Sequence, residues 1–294
     1  MRVLLLGDWP DGERDRWLAL LRAAAPEQDW LLVPDDGVEV AVVANPPPGS
    51  LVGLPRLRLI QSLWAGVDRL LQDASLPAGV PLARMVDPAM NEAMVQTALW
   101  AVLSLQRSFF TLQAQQRERL WRQPAQPRAA EWSVLVLGQG ELGGRVAAAL
   151  AALGYAARAW SRRDGAEPPL ETADTVINLL PLTAATRGFF DAARLARMKR
   201  GAGLVNLARG AHVVEADLLQ ALDAGRLGHA VLDVFEREPL PPEHRFWNHP
   251  RVTVLPHCAA QTDPRSAATV VAANLRALRE GAPLQHLVDR GRGY

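Results

Sequence analysis

The chain predicts an α/β protein of two parallel-sheet domains, with the middle of the chain inserted into the first domain. Short apolar runs of strand length alternate with helical stretches almost from end to end. One of those runs leads into a G-x-G-x-x-G turn that opens a helix. The last stretch, 267–280, reads as a helix and is expected to return to the first domain. The expected domains are therefore 1–93 together with 267–294, and 94–266.

Arg2-Val3-Leu4-Leu5-Leu6 begins like a signal peptide. Its apolar run stops at Gly7-Asp8, too short for an h-region, and no small-residue cleavage site follows. A first strand is expected there instead. A helix follows over 14–25, with Trp17, Leu20 and Leu21 at core spacing, and then strands over 30–33 and 40–43. Asn45-Pro46-Pro47-Pro48-Gly49 makes a stiff loop. A strand over 57–62 feeds Leu63-Trp64-Ala65-Gly66-Val67-Asp68. Strand, small residues, helix is either an ordinary turn or a nest of backbone N–H groups suited to an anion. Asp87-Pro88-Ala89-Met90-Asn91 starts a helix expected to reach about residue 123, apolar over 94–105 and polar over 113–119. A helix of that length passes to another domain or to a neighbouring subunit. Pro124 and Pro127 form a linker.

An apolar strand, Val134-Leu135-Val136-Leu137, comes next, followed by Gly138-Gln139-Gly140-Glu141-Leu142-Gly143. An Ala-rich helix over 145–153 is stopped by Gly154, and a second strand starts at Ala157. Strand, tight turn, helix and strand in about thirty residues is the context that makes this motif a dinucleotide fingerprint. Gly138 makes the turn, Gly140 lets backbone approach a pyrophosphate, and Gly143 lets helix and strand pack. The helix N-terminus supplies free N–H groups to phosphate. The second strand ends Trp160-Ser161-Arg162-Arg163 rather than in the acidic residue that grips an NAD ribose. A hydroxyl and two guanidinium groups suit a ribose 2′-phosphate, each charge-assisted hydrogen bond contributing about 1.5–3 kcal/mol. NADP(H) is expected to be preferred. NAD(H) stays open, because Asp164 is placed to turn in towards a ribose.

Further strands are expected over 175–180, 203–208, 229–234 and 251–255, with helices over 192–198 and 215–224. At 294 residues, nearly half apolar, the chain can bury two cores. A net charge of +1 and the lack of a helix-turn-helix signature or basic stripe argue against nucleic acid and an acidic membrane surface. No apolar run approaches the ~20 residues of a membrane span. One cysteine, Cys258, excludes an intrachain disulfide. It is expected to be a small packing residue. A soluble cytoplasmic protein without a metal site is expected.

Ligands of an open parallel sheet sit outside the carboxyl ends of its strands. Arg209, Asp233 and His257 fall there, with Glu238 in the loop between the last two. Each alone is an ordinary surface or turn residue. Together they suit reduction of a 2-keto acid. His257 as imidazolium donates a proton to the carbonyl oxygen, an effect of roughly 10²–10⁴-fold. Glu238 favours the charged imidazole and fixes its tautomer. Arg209 holds a carboxylate bidentately. Asp233 is placed to accept from a nicotinamide carboxamide.

Three blocks carry a resemblance: Asn206-Leu207-Ala208-Arg209-Gly210, then 232–241 from Leu232-Asp233-Val234 to Glu238-Pro239-Leu240-Pro241, then Pro256-His257-Cys258-Ala259-Ala260. With the 63–68 loop and the fingerprint, they resemble the D-isomer-specific 2-hydroxyacid dehydrogenases over nearly the whole chain. Val86-Asp87-Pro88-Ala89-Met90 and Trp247-Asn248-His249-Pro250 look most like the glyoxylate/hydroxypyruvate reductase A type. The resemblance implies two Rossmann-like domains, closing over a small 2-keto acid, and a homodimer with the helix from Asn91 as its arm. It implies Arg209, Glu238 and His257 as the catalytic triad and Leu63, Trp64, Ala65 and Gly66 as the substrate loop. Cofactor contacts are implied at Gln139, Gly140, Glu141 and Leu142, at Ser161, Arg162 and Arg163, at Leu180 and Pro181, and at Ala208 and Asp233. Trp64 is bulky for its position and implies a narrower or reshaped pocket. Trp121 is either an aromatic that closes a neighbour's site or a surface anchor.

Overall fold

The computed structural model describes residues 1–293, without the side chain of Asp164. It divides into two units, 1–90 with 262–294, and 91–261. The expected borders stood at 93/94 and 266/267.

The first unit holds β1 (Arg2–Gly7), α1 (Glu13–Ala24), β2 (Asp29–Leu31), β3 (Val40–Ala44), β4 (Leu59–Ser62), the single turn α2 (Asp68–Leu71) and β5 (Leu82–Ala83). Its sheet runs β2-β1-β3-β4-β5, all parallel. Alternate residues of a strand face opposite sides. Val3 and Leu5 accordingly join Trp17 and Leu21 in one core, while Leu4 joins Ile60, Leu70 and Leu82 in another. A sheet covered on both faces explains why its strands read as continuous apolar runs. The expected strand over 30–33 stops at Leu31, and Val33 is 74% exposed. Apolar character there marks no burial.

In the second unit, α3 (Pro88–Gln106) enters from the first and α4 (Phe109–Arg117) follows. The single helix expected to reach about 123 is thus two helices. Ser108 adopts a left-handed φ of 56°, which ends the first. The linker caps that end: Gln126 Nε2 donates to the carbonyl of Arg107 at 3.0 Å, and Gln106 donates to that of Pro127. Arg119 is again left-handed, at 57°, and Trp121 lies 97% exposed in irregular chain.

Next come β6 (Ser133–Leu137), α5 (Glu141–Ala152), β7 (Ala156–Trp160), β8 (Thr175–Asn178), α6 (Ala192–Arg197), β9 (Gly203–Asn206), α7 (Glu215–Asp223), β10 (His229–Leu232) and β11 (Val252–Val254). The parallel sheet has the order β11-β10-β9-β8-β6-β7. From β6 the chain moves one way to β7 and then back past β6 to β8. That reversal opens a crevice at the carboxyl ends, the usual ligand position in such sheets. Two of the fingerprint glycines are fixed by packing. Gly138 has φ 112°, and a Cβ there would stand 2.7 Å from the Leu179 carbonyl oxygen. A Cβ on Gly143 would stand 1.8 Å from the Gly138 carbonyl oxygen. Around Gly140 a Cβ would meet nothing within 4 Å, which leaves the turn open for a ligand.

The chain then returns to the first unit as α8 (Pro264–Glu280). Asp263 caps its start, accepting from the Arg265 amide at 2.9 Å, and Gly281 ends it with φ 68°. Ala267, Val271 and Leu275 lie one turn apart and fill the α1 side of the sheet. Buried Asn274 donates to Gln61 of β4 at 2.7 Å.

Gly143→Ala is expected to cost about 3 kcal/mol or more, read as a lower urea midpoint, because the backbone facing it has no room to yield. Gly140→Ala should stay within about 0.5 kcal/mol of the native protein. A Gly143→Ala protein of native stability contradicts the close packing of α5 on the turn.

Candidate active site

The second unit brings Arg209, Asp233, Glu238 and His257 together at the carboxyl edge of its sheet. His257 Nδ1 lies 2.7 Å from Glu238 Oε2. The other carboxylate oxygen, Oε1, accepts from the Phe235 amide at 2.9 Å. Glu238 is therefore held at both oxygens, and His257 keeps Nε2 for a ligand. The Arg209 loop meets the Phe235 backbone through Gly210, where a Cβ would fall 1.9 Å from the Phe235 carbonyl carbon. Only glycine permits that approach.

His257 sits at φ 52°, a left-handed conformation that costs a non-glycine residue about 1–2 kcal/mol. Asp233 secures it. Its Oδ1 accepts from the amides of Cys258 at 2.7 Å and Ala259 at 3.0 Å, and its carbonyl accepts from the His257 amide at 2.9 Å. At 2% exposure this carboxylate is a structural clamp on the loop. The expected role towards a nicotinamide carboxamide falls to Oδ2, which has no protein donor among the described residues.

The electrostatics follow from these contacts. The hydrogen bond to Glu238 raises the His257 pKa above its ordinary value. Burial opposes it, and the charges of Glu238 and Asp233 add to it. Burial pushes Glu238 upwards, but its bonds from His257 and the Phe235 amide prevail and hold it below the usual carboxylate value. Burial raises Asp233 against the two amides it accepts from. Cys258, expected to pack, is exposed instead. Its thiol pKa is raised by partial burial and by the Asp233 charge, the opposite of a reactive thiolate.

The fingerprint residues lie at the open turn between β6 and α5. Ser161 is half-buried past β7, and Arg162 and Arg163 are exposed in a 3₁₀ turn, Arg162–Asp164. The side chain of Asp164, the alternative ribose ligand, lies outside the described residues. Leu180 is buried, Pro181 half-buried, and Ala208 buried beside Arg209. An open glycine turn at a helix N-terminus, followed by a hydroxyl and two exposed guanidinium groups, fits a phosphorylated dinucleotide. Among the described residues no cluster of three His, Cys, Asp or Glu side chains suits a metal ion.

Three polar residues in the same edge have no role in the reading of the sequence, although Asn206 opens one of the resemblance blocks. Asn178 and Asn206 end β8 and β9 in register, and Asn178 Nδ2 donates to Asn206 Oδ1 at 2.9 Å. Their carboxamide oxygens accept from the amides of Leu180 at 3.2 Å and Ala208 at 3.3 Å. His212 is buried beneath the same loops. Two apolar strands that both end in Asn were the available signal.

In the first unit the loop over 63–66 is half committed. The Trp64 amide donates to Ser62 Oγ at 3.0 Å, and its carbonyl accepts from the Met85 amide at 3.1 Å. Trp64 is therefore not a free N–H donor of the expected nest, which reduces to Ala65, Gly66 and Val67. The Trp64 ring meets Trp17 edge-on, with centroids 6.1 Å apart. Asn45 follows β3 in a left-handed conformation, φ 46°.

The model of the D-isomer specific 2-hydroxyacid dehydrogenase NAD binding domain matches residues 99–259. A curated relative, glyoxylate/hydroxypyruvate reductase A of Serratia proteamaculans, is 41% identical over 95% of this chain and 96% of its own. A D-isomer specific 2-hydroxyacid dehydrogenase of Xanthobacter autotrophicus, solved with NADPH and MES, is 38% identical. It superposes with a TM-score of 0.93 over 99% of this chain and 100% of that one. An NADPH-dependent glyoxylate/hydroxypyruvate reductase of Sinorhizobium meliloti, solved with NADP and sulfate, is 34% identical, with a TM-score of 0.90 over 100% and 99%.

Loss of the Asp233 clamp should release His257. In Asp233→Ala the ring is expected to titrate at lower pH than in the native protein, measured by NMR of the imidazole. An unchanged titration contradicts the clamp.

Proposed function

Because the chain belongs to the D-isomer-specific 2-hydroxyacid dehydrogenase family, we propose that it is an NADPH-preferring reductase of small 2-keto acids. It takes glyoxylate to glycolate and hydroxypyruvate to D-glycerate. The observation that carries this reading is the 2.7 Å Glu238–His257 pair, on a loop held in a left-handed turn. Bound NADPH supplies a hydride for the carbonyl carbon. The chain supplies the rest. Arg209 holds the substrate carboxylate through its guanidinium fork. His257, favoured as imidazolium by Glu238, gives a proton from Nε2 to the carbonyl oxygen as negative charge builds there. Glu238 then orients the neutral ring through Nδ1 and favours its reprotonation by solvent. The loop over 63–66 is read as a further carboxylate-binding element.

The cofactor preference is supported by Ser161, Arg162 and Arg163, and by the NADPH and NADP complexes of the two solved relatives. Trp100, Leu103 and Phe109, exposed on α3 and α4, support the pairing of two copies through that face.

The test is NADPH oxidation at 340 nm with glyoxylate, hydroxypyruvate, pyruvate and phenylpyruvate, repeated with NADH. Turnover of the two small acids at least tenfold above phenylpyruvate, and with NADPH above NADH, is expected. Preference for phenylpyruvate moves the substrate to larger 2-keto acids and points to Trp64. NADPH binding without turnover of any acid favours a dinucleotide-sensing protein on the same fold.

A further inference from the structure

The chemistry above leaves one buried histidine unused, and it lies between two loops of that site. His212 is 0% exposed. Its Nδ1 lies 3.1 Å from the carbonyl oxygen of Arg209, and its Nε2 lies 3.3 Å from that of Pro181. Carbonyl oxygens only accept and a neutral imidazole carries one N–H, so the neutral ring donates to one of the two carbonyls and packs against the other, and only the imidazolium bonds both. In either state a single rigid ring fills the space between the loop after β8 and the loop after β9.

The far end of that span bears on Arg209 directly. Arg209 Nη1 donates to the Ala208 carbonyl at 2.7 Å, which ties one arm of the guanidinium to its own backbone. That backbone is held at the Arg209 carbonyl by the His212 ring, by the His212 amide at 3.2 Å and by Asn206 Nδ2 at 3.0 Å. At the near end, the Pro181 carbonyl also accepts from Thr186 Oγ1 at 2.7 Å, a bond within its own loop. Backbone bonds from the Gly188 amide to the Ala211 carbonyl and from the Phe190 amide to the His212 carbonyl, both 2.8 Å, tie the same segments further along, and the His212 ring is the side chain that touches both the Pro181 and the Arg209 carbonyls.

We propose that His212 is a positioning residue that couples dinucleotide binding to keto-acid binding. A dinucleotide seated against Leu180 and Pro181 fixes the Pro181 carbonyl. The His212 ring transmits that order to the Arg209 backbone and so to the guanidinium that receives the carboxylate. Coupling of this kind is reciprocal, so each ligand tightens the other by the same factor. The proposal rests on the reading of Arg209 and of the 180–181 loop given above.

The experiment measures the dissociation constant of oxamate, an unreducible mimic of a small 2-keto acid, with and without NADPH, using the full chain. In the native protein NADPH is expected to tighten oxamate about tenfold. His212→Gln and His212→Asn each keep N–H donors on a single nitrogen but lose the rigid ring that touches both carbonyls. In both, the factor should fall below about threefold, with thermal melts showing a folded protein. Thr186→Val, which loosens Pro181 without cutting the bridge, should weaken NADPH itself while keeping the factor near tenfold. A native factor in both folded His212 variants overturns the proposal, as does a native protein in which NADPH leaves oxamate affinity unchanged. A native protein that binds neither NADPH nor oxamate overturns the functional reading, and this proposal with it.

Discussion

Asp233 accepts two consecutive backbone N–H groups at one carboxylate oxygen, Cys258 at 2.7 Å and Ala259 at 3.0 Å, and the geometry of the proposed triad depends on that clamp. His257 stands one residue before those amides in a left-handed conformation that a non-glycine residue resists by about 1–2 kcal/mol. Two hydrogen bonds to a charged acceptor contribute about 1.5–3 kcal/mol each and outweigh that resistance. The loop is thus shaped from beneath by a group that is 2% exposed. The ring above it is left to make its single short bond, to Glu238.

The other strand ends are secured by the same device, a buried polar side chain that binds backbone. Asn178 and Asn206 meet across β8 and β9 and each hold the first amides of the following loop. The His212 ring lies between the two loops, against the Arg209 and Pro181 carbonyls. Gly210 lets the Arg209 loop lie against Phe235, whose amide holds Glu238. The loops after β8, β9 and β11 that carry proposed functional residues are therefore fixed by buried polar side chains that bind backbone. Such support is what a site needs if its reacting groups are to stay within a fraction of an ångström of working geometry.

Much of this was legible in the sequence, for physical reasons. The fingerprint glycines could be read because backbone crowding admits nothing else at Gly138 and Gly143. The alternation of apolar runs and helices gave two parallel sheets, since strands buried on both faces leave few other patterns. Arg209, Glu238 and His257 stood out as polar residues beyond strand ends. The break at Ser108 was hidden, because it depends on Gln126 folding back to cap Arg107, a contact made across the linker. The short β2 was hidden because Leu32 and Val33 are apolar without being buried. Asp233 was legible as a polar strand end but not as a clamp, because its partners come from another strand's loop. His212 and Asn178 carry no motif, and Asn206 opens one without a stated role; their meaning lies in which carbonyls and amides the fold brings to them.

The most direct test of the account is the pH dependence of kcat/KM for keto-acid reduction, in the native protein and in Glu238→Gln. Reduction needs the imidazolium, and the His257 pKa is raised in the folded protein. Activity should therefore be full at low pH and fall as pH rises through a limb lying above the ordinary histidine value of about 6.5. Glu238→Gln removes the bond and the charge that raise it, and the limb should move to lower pH with a reduced plateau. A profile without an alkaline limb, or one that Glu238→Gln leaves in place, contradicts the assignment of His257 as the proton donor.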